Sequence, residues 1–160
     1  MSNLIDSEFM PLNKRSITEE TCKKWDYGVG EYNGNPVHVA NYCDENGKRV
    51  AQKLRFPNKD FVWLGEPKKA GLFGANIWQE GGKMVTVCEG EIDALTVSQL
   101  WGNKWPTVSV PNGAAGAAKS ISKHIDWLEK FETVVFCFDQ DDPGRKAAEE
   151  CAMMLTPGKA

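Results

Sequence analysis

Apolar residues are spaced differently in the two halves of the chain. Up to about residue 80 they alternate with polar ones in short runs, as in Val37-His38-Val39-Ala40-Asn41-Tyr42 and Val50-Ala51-Gln52-Lys53-Leu54-Arg55. Alternation of period two predicts half-buried strands. Between these runs Asp44-Glu45-Asn46-Gly47 predicts a hairpin turn, because Asn-Gly readily takes the positive φ a tight connection needs. Lys53 and Arg55 then share one face of the second strand. Upstream, Ser16-Ile17-Thr18-Glu19-Glu20 predicts a capped helix start, with Lys23-Lys24 toward the helix end. Residues 1–12 show no pattern and are expected to form a flexible arm ahead of a small α+β subdomain, 13–80.

From about residue 83 the apolar runs become continuous and rich in β-branched residues. Met84-Val85-Thr86-Val87-Cys88, Thr107-Val108-Ser109-Val110 and Thr133-Val134-Val135-Phe136-Cys137-Phe138 predict three buried strands. Helical stretches separate them: Asp93 to Trp101, an alanine-rich start continued by Ile121 to Phe131, and Pro143-Gly144-Arg145 onward to about Leu155. Strand and helix in alternation predict an α/β domain over 81–160, a parallel sheet with right-handed crossovers and flanking helices. Ligands of such sheets bind at the carboxyl ends of the strands.

Composition narrows the classes. The chain has 160 residues, 41% of them hydrophobic, with a formal net charge of −3. That suits one domain or two small ones with a real core. No stretch approaches the ~20 apolar residues that a membrane span needs. The first ten residues have neither the basic nor the apolar region of a secretion signal. Cysteines at 22, 43, 88, 137 and 151 never form a C-x-x-C pair, which argues for reduced thiols in a cytoplasmic protein and against a zinc ribbon.

Charge is distributed unevenly. Residues 48–69 hold Lys48, Arg49, Lys53, Arg55, Lys59, Lys68 and Lys69 against only Asp60 and Glu66. The acids of the second half gather in Glu89-Gly90-Glu91-Ile92-Asp93 and Asp139-Gln140-Asp141-Asp142, both expected at the carboxyl edge of the parallel sheet. A basic strip and clustered carboxylates suit phosphate substrates carried with a divalent metal, and ordinary solvated faces have the same composition. Glu89 and Asp139 follow strands, where neighbouring carboxylates repel unless a cation intervenes. Oxygen ligands without His or Cys favour Mg²⁺ or Mn²⁺. Asp93 and Asp142 also suit the first turn of a helix, stabilised by its dipole. Trp63, Trp78, Trp101 and Trp105 are expected in the core or along a seam between subdomains.

Glu89-Gly90-Glu91-Ile92-Asp93-Ala94-Leu95 followed by Asp139-Gln140-Asp141-Asp142-Pro143-Gly144 resembles the paired Toprim signature of DnaG-type primases, topoisomerases and related nucleases. Arg15-Ser16-Ile17-Thr18-Glu19-Glu20-Thr21-Cys22, Gln52-Lys53-Leu54-Arg55, Leu72-Phe73-Gly74 and Ile77-Trp78 further resemble the primase half of T-odd-phage primase–helicases, relatives of the helicase Twinkle. The resemblance implies a Toprim fold, Rossmann-like, and a DNA primase making RNA primers from ribonucleoside triphosphates on single-stranded DNA. It also implies catalytic and metal-binding roles for Glu89, Asp139 and Asp141, with Asp93 supporting the metal. Lys53 and Lys59 match basic residues that contact nucleotide, and Arg55 is a further candidate on substrate.

The chain departs from that pattern in having no four-cysteine set for a zinc module and no P-loop for a helicase. A zinc-binding module and a replicative helicase are expected to be supplied elsewhere, and the Toprim sheet is expected to lack its last strand. Two other readings use the same residues: a Toprim nuclease, and a non-catalytic module binding nucleic acid or replication proteins. A topoisomerase would need a nucleophilic tyrosine on an added domain, a context that Tyr27, Tyr32 and Tyr42 lack.

Overall fold

The computed structural model describes residues 4–160 and divides into two compact units, one ending at Gly71 and the other Leu72–Ala160. In the first unit, helix α1 (Glu19–Trp25) begins at Thr18, whose hydroxyl accepts from the Thr21 N–H at 3.2 Å. Four antiparallel strands follow in the order β1-β2-β3-β4: β1 (Tyr27–Tyr32), β2 (Asn35–Cys43), β3 (Arg49–Arg55) and β4 (Phe61–Gly65). The expected hairpin between β2 and β3 is present, with Gly47 at φ +79°. Val37, Val39 and Leu54 form a core on one sheet face, packed by Ile5, Tyr32, Phe56 and Leu64.

The expected flexible arm is tied down over its described part; residues 1–3 lie outside the described residues. Glu8 and Val29 exchange backbone hydrogen bonds of 2.9 Å. The buried Gln52 amide exchanges two more with the Ile5 backbone, each 2.8 Å. Strand β1 passes unseen in the sequence because Gly28 and Gly30 interrupt it. Their missing side chains make room for the arm: a Cβ on Gly28 would stand 2.5 Å from Ser7 Oγ, and one on Gly30 2.8 Å from the Asp6 carbonyl. The glycines are spacers for a neighbouring segment.

The second unit has the expected parallel sheet, β6-β5-β7, from β5 (Gly82–Cys88), β6 (Thr107–Ser109) and β7 (Phe131–Cys137). Helices α2 (Glu91–Leu100), α3 (Gly113–Ser122), α4 (Ile125–Glu129) and α5 (Asp142–Ala152) connect and flank it. Val85, Val87, Val108, Ile121, Leu128 and Val134 are among the buried residues of its core. An α/β parallel-sheet unit preceded by a small α+β unit is thus the observed fold class.

Three boundaries differ from expectation. The helix read over Ile121 to Phe131 breaks into α3 and α4, and Phe131 starts a strand. Ile121, Ile125 and Leu128 keep helical spacing across the break, which hides it in the sequence. Residues 72–80 pack with the second unit, because Phe73 bridges to Ser109 and the Trp78 indole N–H donates to the Thr107 carbonyl at 2.8 Å. On the outer side of β7, the Val134 N–H donates to the Lys159 carbonyl at 2.9 Å. Among the described residues no helix is long and apolar enough to cross a membrane.

Candidate functional site

Parallel pairing places Cys88 of β5 beside Cys137 of β7, so Glu89 and Asp139, one and two residues further on, emerge together at the carboxyl edge of the sheet. The Asp139 N–H donates to Glu89 Oε1 at 3.3 Å. Burial lifts the Glu89 carboxyl above its ordinary range, and the carboxylates of Asp139 and Asp141 push it further, while the Asp139 N–H opposes them. Two acids therefore crowd one edge, in a place that disfavours the charge of Glu89.

Asp141 has a second occupation. It is the N-cap of α5, its Oδ1 accepting from the Gly144 N–H at 2.7 Å. Asp142 lies in the first turn and pairs with Arg145 at 2.6 Å. Gly144 allows the tight turn: a Cβ there would stand 2.1 Å from the Asp139 carbonyl oxygen. The D-x-D-x-x-G spacing thus closes the loop that carries Asp139. Asp93 lies exposed in the first turn of α2. Among the described residues no three His, Cys, Asp or Glu side chains are grouped to hold a metal ion. The four-carboxylate set read from the sequence is not a ready-made cage, because Asp141 turns one oxygen to its helix. Glu91, which the sequence reading gave no role, is 4% exposed at the start of α2. Its only signal was an acid in a first helical turn.

The basic candidates belong to the first unit. Lys53 pairs across the sheet with Trp63, and Arg55 with Phe61. The Lys53 ammonium stands 4.6 Å from the Phe61 ring centroid and 5.8 Å from that of Trp63, within cation–π range. Lys59 lies in the β3–β4 turn, closed by its N–H to the Phe56 carbonyl at 2.9 Å. Its φ is +75°, a conformation that favours glycine. In the second unit Trp101 and Trp105 are 40% and 50% exposed, so of the two expected places, core or seam, they do not occupy the core. They sit at the end of α2 and ahead of β6, where the chain turns over the surface.

Two family models divide the chain as the structure does. "Bacteriophage T7 DNA helicase/primase, N-terminal a+b fold" matches residues 8–65, and "Toprim-like" matches 86–159. The DNA helicase/primase of Enterobacteria phage T3 is 41% identical over 154 residues, 96% of this chain. Primase domains of bacteriophage T7 gp4, solved with the lagging-strand DNA polymerase and bound to an RNA/DNA hybrid and dTTP, superpose with a TM-score of 0.90 at 41% identity. That match covers 96% of this chain and 78% of the gp4 chain. The chain belongs to the phage primase–helicase family. The primase fragment of the T7 primase-helicase likewise gives a TM-score of 0.90 and 41% identity, covering 96% of this chain and 64% of that one. The chain spans 27% of the T3 protein's length. The match to this primase–helicase family bears out the resemblance carried by the two acidic motifs, and covers the first unit with its basic hairpin as well as the Toprim unit.

Proposed function

We propose that this chain is the RNA-polymerase core of a phage primase, joining ribonucleoside triphosphates on single-stranded DNA. The observation that carries the reading is the pairing of Glu89 with Asp139 at the sheet's carboxyl edge, with Glu89 held above its ordinary carboxyl range. Oxygen donors in this number suit Mg²⁺ or Mn²⁺, which use one or two carboxylates and complete their shells with water and phosphate. Glu89 and Asp139 would hold the metal, with the free oxygen of Asp141 and with Asp93 in support. Bound there, the metal supplies acidification of the attacking 3′-hydroxyl and charge neutralisation on the departing pyrophosphate. The 3′-hydroxyl of one nucleotide attacks the α-phosphate of the next. Lys53, Lys59 and Arg55 add fixed positive charge for the phosphates. Template reading and unwinding fall to a zinc-binding module and a helicase, in the cytoplasm of the phage host.

The test is primer synthesis by the purified chain with single-stranded DNA, labelled ribonucleotides and Mg²⁺ or Mn²⁺. Metal-dependent di- or oligoribonucleotides, lost in Asp139→Ala, are expected. Cleavage of labelled DNA in the absence of nucleotides would replace this reading with a nuclease. DNA binding without either reaction, unchanged in Asp139→Ala, would replace it with a binding module.

A further inference from the structure

One side chain outside the acidic motifs ties the second acidic loop to α5. Arg145 Nη1 donates to the Gln140 carbonyl at 2.6 Å, and Nη2 donates to Asp142 Oδ1 at 2.6 Å. Its backbone N–H donates to the Asp141 carbonyl at 2.9 Å. A single residue thus holds three consecutive positions, 140 to 142. The planar guanidinium spans two acceptors at once, which an ammonium on a flexible stem does not do with the same geometry. The ion pair itself adds little stability: the Asp142 side chain is 96% exposed and that of Arg145 52%, so solvent screens their attraction.

The bond to the Gln140 carbonyl has a different consequence. Residues two apart in extended backbone project to one side, and Asp141 is extended at φ −107° and ψ 173°. The orientation of the peptide between Gln140 and Asp141 therefore sets whether the Asp139 and Asp141 carboxylates converge. The cap to Gly144 fixes Asp141 from the helix side, and Arg145 fixes the peptide that precedes it. We propose that Arg145 is a positioning residue of the acidic edge, turning Asp139 and Asp141 toward one divalent cation without touching it. The inference rests on the primase reading for the cation and adds the residue that arranges its ligands. It carries a sign that charge alone would reverse. A guanidinium beside a cation site repels the cation, so deleting a residue that acted only by charge would tighten metal binding. Deleting one that arranges the carboxylates weakens it.

The test is Mn²⁺ binding to the full chain by calorimetry, with tripolyphosphate binding, urea unfolding and primer synthesis measured on the same samples. The parent is expected to bind Mn²⁺ and Asp139→Ala to lose it. Arg145→Gln is expected to bind Mn²⁺ about tenfold more weakly, with the parent's urea midpoint and tripolyphosphate affinity. Arg145→Lys keeps the charge and loses the fork, so it is expected to be as weak as Arg145→Gln. Mn²⁺ binding in Arg145→Gln as tight as in the parent, or tighter, would overturn the proposal. Parent affinity in Arg145→Lys would overturn it too, because a point charge would then suffice. So would a loss of tripolyphosphate binding with Mn²⁺ binding unchanged, which would assign the guanidinium to phosphate. A urea midpoint that falls in step with Mn²⁺ affinity in both variants would overturn it as well, since Arg145 would then act through stability alone. If the parent makes no primers yet Arg145→Gln loses Mn²⁺ as expected, the positioning role stands and the primase reading fails.

Discussion

The carboxyl edge of the parallel sheet and the β3–β4 hairpin are electrostatic mirror images. At the edge, burial and the charges of Asp139 and Asp141 push Glu89 toward its neutral form. On the hairpin's sheet, burial and the charges of Arg55 and Arg15 push His38, the cross-strand partner of Arg55, toward its neutral form. Each region gathers one sign of charge and disfavours one further charge of that sign, on Glu89 and on His38. Such penalties persist where a ligand of opposite sign is the intended occupant. The acidic edge suits a cation and the basic sheet an anion. The supports differ: the acids hang from loops at strand ends, whereas Lys53 is laid on aromatic rings.

Removing a charge from the acidic edge is the most direct way to break the comparison. Asp139→Ala and Glu89→Gln are expected to lower primer synthesis by roughly 10²-fold or more in saturating Mg²⁺. Glu89→Gln should also melt higher than the parent in the absence of metal, and lose the parent's upward shift on adding Mg²⁺. The sign follows from the raised carboxyl: ionised Glu89 costs stability at neutral pH, and that stability returns as pH falls through its folded-state value. A Glu89→Gln chain that melts at or below the parent's temperature without metal would show that the acids are not in conflict there.

Gly144→Ala tests the support rather than the charge. The added carbon meets the Asp139 carbonyl at 2.1 Å, so the loop must move. A destabilisation of about 3 kcal/mol is expected, read as a lower midpoint in urea unfolding. An unchanged midpoint would mean that the loop yields easily and does not hold Asp139 in place.

The two regions were unequally legible in the sequence. The acids could be placed because a βαβ unit puts each strand's end at one edge, so Glu89 and Asp139 needed only the apolar runs before them. What could not be read was that Asp141 caps α5, since Asp141 and Asp142 both suit a helix start and the choice rests on where Gly144 lets the chain turn. The first unit hid more. Strand β1 was lost to Gly28 and Gly30, whose purpose is visible only once Ser7 and Asp6 are against them. Phe61 had no periodic signal, because a half-exposed phenylalanine at a strand start looks like any other β residue. Lys59 was singled out by family resemblance, and its left-handed backbone is a fact of the turn alone.

That backbone gives a smaller effect with a distinctive sign. Lys59→Gly removes both a charge and a strained conformation, so activity and stability should move in opposite directions. Relief of a left-handed residue contributes roughly 1 kcal/mol, less the freedom glycine adds to the unfolded chain. The variant is expected to unfold at slightly higher urea concentration while its KM for ribonucleotides rises about tenfold. Lys59→Ala should lose the same affinity without the gain in stability. If Lys59→Gly kept the parent's KM, the strain would have to be assigned to the turn and not to phosphate binding.

The smallest effect expected is in the protonation of His38, and it bears on the mirror most closely. The chain has two histidines, so an His124→Gln variant leaves His38 as the one imidazole to follow by NMR. Its ring packs edge-on to Tyr27, whose hydroxyl lies 3.0 Å from Nδ1, and burial and the nearby arginines hold its pKa below the ordinary 6.5. The unfolded chain therefore takes up this proton first. The contribution of His38 to stability is whole above about pH 6.5 and is lost as pH falls from there through the folded-state value. A polyanion on the basic face offsets the arginine charges, so adding tripolyphosphate should move the His38 titration upward, toward 6.5. The Glu89 carboxyl should answer a divalent cation in the opposite direction, downward. Should tripolyphosphate leave His38 where it was, burial alone would set its pKa, and the basic face would not be the counterpart of the acidic edge.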